Sequence, residues 1–128
     1  MRKKVAEYQC PYQSHSPMEP MNATVWVKGN NTVEAWLPTQ NGQGAQVDIS
    51  QITGIPVENI TVNVTFLGGG FGRRSLQDFA IEATHLSMQT KRPVKVIWTR
   101  EDDTTAGPFR PATLNVFRAA FDSGKNLI

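Results

Sequence analysis

The sequence predicts an α/β domain, with α+β as the alternative arrangement of the same elements. Three observations carry this: the alternating run "NITVNVTFL" at 59–67, an apolar helical stripe after the glycine-rich "LGGGFG", and the β-branched run "PVKVIW" that follows. Strand, glycine loop, helix and strand in that order favour a right-handed crossover between parallel strands of a mixed sheet. Hairpins are expected towards both ends.

In chain order, "ATVWV" (23–27) and "TVEAWL" (32–37) are β-branched and aromatic runs joined by the polar "KGNN", the pattern of a hairpin. "PTQNGQG" is loop by its Pro, Asn and Gly content. Residues 45–53 predict a helix stopped by Gly54, although Val47, Ile49 and Ile52 fit a helical stripe only in part. Ile60, Val62, Val64 and Phe66 alternate with Thr61, Asn63 and Thr65, the two-residue period of a half-buried strand. Ser75 and Asp78 fit an N-cap, and Leu76, Phe79, Ala80, Ala83 and Leu86 form one apolar face, which predicts a helix over 76–90. "PVKVIWTR" is a strand, "EDDTTAGPFRPA" a polar loop, and "TLNVFRAAFD" a strand turning at "DSGKN". Only Leu127 and Ile128 remain to form its return strand, too few to satisfy the partner's hydrogen bonds. The chain therefore reads as one piece of a larger domain.

With 128 residues, 39% hydrophobic and 19% charged, one compact core is expected and wholesale disorder is not. A net charge of +2 gives no nucleic-acid footprint. The single cysteine, Cys10, excludes an internal disulfide framework and a multi-cysteine metal site, and is expected to be buried. No apolar run approaches the roughly 20 residues of a membrane helix, and "MRKKVAEYQC" lacks a signal peptide's apolar stretch. Sequons at Asn22, Asn30, Asn59 and Asn63 would suit a secreted glycoprotein, but without a secretion signal the better reading is polar residues on the outer faces of strands and turns.

The glycines at 68–70 and 72 sit where a strand hands over to a helix, a place where bare main chain can approach a ligand and free N–H groups favour an anion. Known phosphate patterns fail: Gly68, Gly70 and Arg73 stand at the three places of G-x-G-x-x-G, and no P-loop is present. Arg73 and Arg74 could pair with a phosphate; the plainer reading is a tight turn with two solvated arginines.

"LGGGFGRR", preceded by "HSPMEPMNATVWV" and "PTQN" and followed by "RPVKVIWTREDD" and "GPFRP", resembles the molybdopterin-binding large subunit of the xanthine oxidase and aldehyde oxidase family. The branch it resembles is the bacterial isoquinoline 1-oxidoreductase beta-subunit type, collinearly over about 8–121, so that residues 1–128 form a single piece of a molybdopterin-binding domain. The resemblance implies molybdenum held by the dithiolene of a molybdopterin, its cytosine dinucleotide form being one candidate, and hydroxylation of aldehydes or nitrogen heteroaromatics with oxygen from water. It implies as partners the remainder of the large subunit and a 2Fe-2S small subunit, in the cytoplasm or periplasm. Whether this piece alone holds the cofactor is left open.

By the same resemblance Gln40 would hydrogen-bond the apical molybdenum ligand. The main chain of Gly69, Gly70, Phe71, Gly72 and Arg73 would lie against the cofactor, the glycines leaving room for it. Arg110 in "FRP" would line the substrate pocket and stabilise developing charge; the alternative is a loop arginine pairing with the "EDD" acids. Ser75 stands where xanthine-oxidising members carry an acidic residue, so purine oxidation is not implied. The family's catalytic glutamate belongs to a motif further downstream, outside these 128 residues, and the isolated chain is expected to be inactive.

Other residues attract blander readings. Cys10 and His15 lie near each other in sequence without evidence of a pair, His85 sits beside the apolar stripe, and Met18, Met21 and Met88 read as packing residues. Glu101, Asp102 and Asp103 could bind a cation but fit a solvated loop. The competing function is a noncatalytic module whose glycine loop takes an anion, or whose exposed strand edges pair with a partner or with another copy.

Overall fold

The computed structural model describes residues 2–128. Its elements are β1 (Arg2–Cys10), β2 (Gln13–Ser14), β3 (Asn22–Lys28), β4 (Thr32–Leu37), α1 (Gly42–Thr53), β5 (Ile60–Val64), α2 (Asp78–Thr90), β6 (Val94–Ile97), α3 (Arg100–Thr105), β7 (Phe109–Arg110) and β8 (Thr113–Phe121). Short 3-10 turns at Val57–Asn59 and Arg73–Ser75 precede β5 and α2. The chain divides into two compact units, the residues up to Ser14 with Phe109–Ile128 in one and His15–Pro108 in the other.

In the larger unit the sheet order is β5-β4-β3-β6. The predicted hairpin of β3 and β4 is present, Thr24 facing Trp36 and Lys28 facing Thr32. The two-residue period turns Ala23 and Val25, with Val33, Ala35 and Leu37, to one face, where all five are buried. Helices α1 and α2 cover that face with Ala45 and Ile49 from the first and Phe79, Ala80 and Ala83 from the second. One apolar layer between sheet and helices thus makes the core.

The crossover spans the sheet. Strand β4 pairs in parallel with β5, and β3 is antiparallel to both β4 and β6. Strands β5 and β6 therefore run in the same sense, but at opposite edges with two strands between them. The parallel neighbours are β4 and β5, joined through α1.

Helix α1 starts three residues before its predicted beginning, because the Asn41 side chain accepts the Gly44 N–H at 2.9 Å, and it stops at left-handed Gly54, φ 71°. Helix α2 starts later than predicted: Ser75 is spent in the 3-10 turn, and Gln77 precedes the helix without a side-chain cap. Its buried face also differs, with Leu76 and Leu86 exposed and Thr84 and Ser87 buried. Those hydroxyls are satisfied internally: Thr84 donates to Ala80 O at 2.7 Å, while Ser87 donates to Arg92 O at 2.8 Å and accepts the Val27 N–H at 2.9 Å. "EDDTT", read as loop, forms α3 through a capping box in which Thr99 and Asp102 each accept the other's backbone N–H.

The smaller unit contains a two-stranded antiparallel ribbon in which β1 pairs with β8 from Arg2↔Phe121 to Cys10↔Thr113. Tyr8 and Phe117 meet edge to face on one side of it, their rings 5.8 Å apart. The expected C-terminal return is a single bridge, Phe121↔Leu127; the long partner of β8 is β1, which alternation alone could not reveal. The second pair in this unit joins Gln13 to Arg110 and Ser14 to Phe109. Cys10 is exposed, against expectation, and so is Met18, at 89%.

Phe79→Ala, at the centre of the sheet–helix layer, is expected to lower unfolding free energy by about 3–5 kcal/mol. Phe66→Ala, at a residue 100% exposed in this chain, is expected to change it by less than about 0.5 kcal/mol. Urea denaturation measures both.

Candidate functional site: the glycine loop and its two arginines

Beyond β5 the chain runs through Thr65 to Gly72 before the 3-10 turn. Thr65 N–H still bonds Leu37 O at 3.0 Å, after which the loop leaves the sheet. Gly69, Phe71 and Gly72 all take positive φ, at 98°, 54° and 92°. For Phe71 this left-handed conformation costs on the order of 1–3 kcal/mol, so surrounding contacts must hold it.

The contacts come chiefly from residues that the sequence left as solvated. Arg74 is fully buried, at 0% exposure. Its Nε donates to Gly69 O at 2.8 Å, Nη1 to Pro38 O at 3.2 Å, and Nη2 to Glu19 O at 2.7 Å and Glu19 Oε2 at 3.1 Å. One planar cation thereby ties three segments distant in sequence. Glu19 completes the link, its Oε2 accepting the Gly68 N–H at 2.8 Å and its own N–H donating to Gly68 O at 3.1 Å.

Arg73, 1% exposed, points the other way. It forks onto Asp78 at 2.9 and 2.7 Å, lies 5.4 Å from the Trp98 ring centre, and has its Nε 3.9 Å from Asp103 Oδ1. Asp103 is itself buried and accepts from Arg100 at 2.7 Å, while Arg100 also donates to Pro17 O. Of the acidic run, Asp103 closes an ion-pair network and Asp102 caps α3, and no metal-ligating cluster occurs among the described residues. The reading of two solvated arginines is corrected: both guanidinium groups are buried against fixed partners, with Arg73 Nε alone left without a hydrogen bond among the described residues.

Gln40 lies against the loop. Its N–H donates to Arg74 O at 3.0 Å, and its side-chain Oε1 accepts the Gly72 N–H at 3.0 Å. Because a backbone N–H can only donate, this bond fixes the orientation of the amide and leaves Nε2 as the outward donor of an exposed residue. Thr39 beneath it donates to Arg74 O at 2.9 Å, and buried Gln77 donates to Thr39 Oγ1 at 3.1 Å.

The glycines answer to two needs. A Cβ on Gly70 would run into the Gln40 amide, so that position is bare to admit a residue of this chain. A Cβ on Gly72 would meet nothing within 4 Å, which leaves its main chain open on that side, and Phe71 beside it is 59% exposed. The space at 72 is the one a bound group could use.

Of the residues singled out in the sequence, Gln40, Gly69, Gly70, Phe71, Gly72 and Arg73 come together in the larger unit. Arg110 is an exposed residue of β7 in the other unit. Sequence reasoning missed Glu19, Thr39 and Gln77, and read Asp78 only as part of a helix cap. Glu19, a lone acid between methionine and proline in "PMEPM", was the one visible signal.

A family model described as "Molybdopterin cofactor-binding domain" matches residues 3–127. Isoquinoline 1-oxidoreductase subunit beta of Brevundimonas diminuta is 37% identical over 106 residues, covering 83% of this chain and 14% of that protein. The aldehyde oxidoreductase molybdenum-binding subunit of Escherichia coli K12 is 36% identical over 122 residues, covering 94% of this chain and 16% of that protein. Among solved structures, quinoline 2-oxidoreductase from Pseudomonas putida 86 shares the fold with a TM-score of 0.86 at 24% identity, over 99% of this chain and 16% of that one. The family match, on a fold shared with that structure, thus defines a class of cofactor-binding module. This chain belongs to the molybdopterin cofactor-binding domain family, and it spans about one-seventh of the length of the relatives it matches. None of its helices is long and apolar enough to cross a membrane, among the described residues.

Burial pushes the Glu19 carboxyl upward, but the Gly68 N–H, the Asn22 amide and the charges of Arg74 and Lys95 outweigh it, so its pKa falls below the ordinary 4.5. A carboxylate depressed in the folded state adds stability that is complete above the unfolded value and is lost as pH falls through the folded one. Unfolding free energy is therefore expected to decline below about pH 4.5 with a slope that Glu19→Gln reduces, as read by denaturation at a series of pH values.

Proposed function

We propose that this chain supplies part of the wall that holds a molybdenum–molybdopterin cofactor in an oxidoreductase acting on aldehydes or nitrogen heteroaromatics. The single observation that carries the reading is the Gln40–Gly72 bond, which turns a side-chain amide donor outward beside main chain that is open at Gly72. Family membership gives the cofactor class, and the residues present fit such a group.

When bound, the cofactor would supply two-electron oxidation chemistry with water as the oxygen source. This chain's own residues orient it and keep the surrounding main chain fixed. Gln40 Nε2 would donate to an oxygen or sulfur ligand of the metal, and main chain from Gly69 to Gly72 would line the cofactor. Arg73 would serve the loop as an internal brace, its guanidinium being committed to Asp78. Arg110 is proposed to face substrate, where a permanent cation with several donors would stabilise developing negative charge. The proton-abstracting group, the remaining cofactor contacts and the 2Fe-2S small subunit would come from outside this chain. The cytosine dinucleotide form of the pterin is the candidate to test first.

A second reading, a noncatalytic anion-binding or interaction module, is weakened in its anion form because both arginines of the loop have internal partners. Its interaction form draws on exposed apolar residues such as Phe66 and Leu67, which the remainder of a large subunit would cover and which otherwise favour self-association. Light scattering after size exclusion separates the two cases.

The test replaces the matching segment of the Escherichia coli aldehyde oxidoreductase molybdenum-binding subunit with this chain and measures molybdenum and pterin in the purified, folded chimera. Gln40→Leu is expected to lower retention by about tenfold, the loss of one hydrogen bond to a ligand of the metal. Equal retention in both contradicts the reading. The 128-residue chain alone is expected to show no turnover with aldehydes or heteroaromatics when cofactor is supplied.

A further inference from the structure

We infer that Glu19 and Arg74 are the positioning pair of the site: their ion pair holds the main chain of 68–72 and the Gln40 amide in one arrangement. The purpose of that arrangement rests on the functional reading above; the positioning itself is a property of the cofactor-free chain.

Four of the five residues from 68 to 72 are glycine, and glycine loses more conformational freedom on ordering than any other residue. Such a run does not choose one path by itself, and contacts from outside it must make the choice. Those contacts converge on the pair. Glu19 Oε2 takes Gly68 N–H at 2.8 Å and Arg74 Nη2 at 3.1 Å, while Oε1 takes the Asn22 amide at 2.8 Å, which fixes the carboxylate on β3. Arg74 Nε then holds Gly69 O at 2.8 Å.

The Arg74 carbonyl carries the arrangement onward. It accepts from Gln40 N–H at 3.0 Å and from Thr39 Oγ1 at 2.9 Å, and the Gln40 side chain in turn accepts Gly72 N–H at 3.0 Å. A closed circuit of bonds runs from Glu19 through Gly68, Gly69, Arg74 and Gln40 to Gly72. Among the described residues Glu19 is the one carboxylate within ion-pair distance of the buried Arg74. Gly68 belongs to the same device, since a Cβ there would collide with Glu19. Neither side chain bonds to Gly72 itself, so both act through the loop.

The test is amide hydrogen exchange by NMR on the full 128-residue chain, without cofactor, in the wild type, Glu19→Gln and Glu19→Asp. Glutamine keeps the shape and one acceptor but removes the charge; aspartate keeps the charge but is too short to reach both Gly68 and Arg74. Exchange at Gly68 and Gly72 is expected to rise about tenfold or more in each variant, while Val25 and Ala35 in the sheet change by less than about threefold. The Gln40 side-chain amide signals are expected to shift with the loop. Loop and sheet amides rising together, loss of the folded spectrum in both variants, or unchanged loop amides would each overturn the positioning role. The functional reading fails separately: selective loosening, combined with equal cofactor retention in the parent chimera and its Gln40→Leu variant, leaves the pair standing and removes the cofactor.

Discussion

Everything at the candidate site depends on a cation placed out of water. Arg74 is fully buried, and a buried guanidinium is tolerable only when its donors are taken up by fixed acceptors. Here the acceptors are the main chain at residues 19, 38 and 69 and one carboxylate. The same requirement that satisfies the cation fixes the loop. Arg73 meets it in part, towards α2 and α3, through a fork onto Asp78, the nearby Asp103 and the Trp98 ring, its Nε being left without a hydrogen bond. Two adjacent arginines thus brace one flexible segment in two directions.

This changes the meaning of the glycines. From the sequence they were room for a bulky ligand. In the structure Gly70 is bare because Gln40 occupies the place of its side chain, and the open main chain is at Gly72. The glycine run is a packing surface for this chain's own Gln40 and Glu19 as much as a surface for a guest. Close packing and an open face are compatible because they fall on different residues.

Much of the fold was legible because it is written in local periods. The β-branched runs of β3 and β4 and the polar turn between them announced the hairpin, and the order of strand, glycines, helix and strand was read correctly. What failed was non-local or polar. The partner of β8 is β1, more than 100 positions away, and no periodicity encodes a partner. Helix α3 carries no apolar stripe, so only its capping box announced it. At the site, the resemblance singled out Gln40 and residues 69–73, which the fold brings together, whereas Glu19 stood out only as a lone acid in "PMEPM", because its role arises only when a buried arginine is folded against it.

The central claim is that the glycine-rich segment is rigid in the free chain, held by Arg74 and Glu19 before any cofactor arrives. The most direct measurement is the backbone order parameter of the Gly72 amide by nitrogen-15 relaxation, compared with that of Ala35 in β4. The account predicts a value near about 0.85, indistinguishable from the strand, and a value below about 0.6 would contradict it.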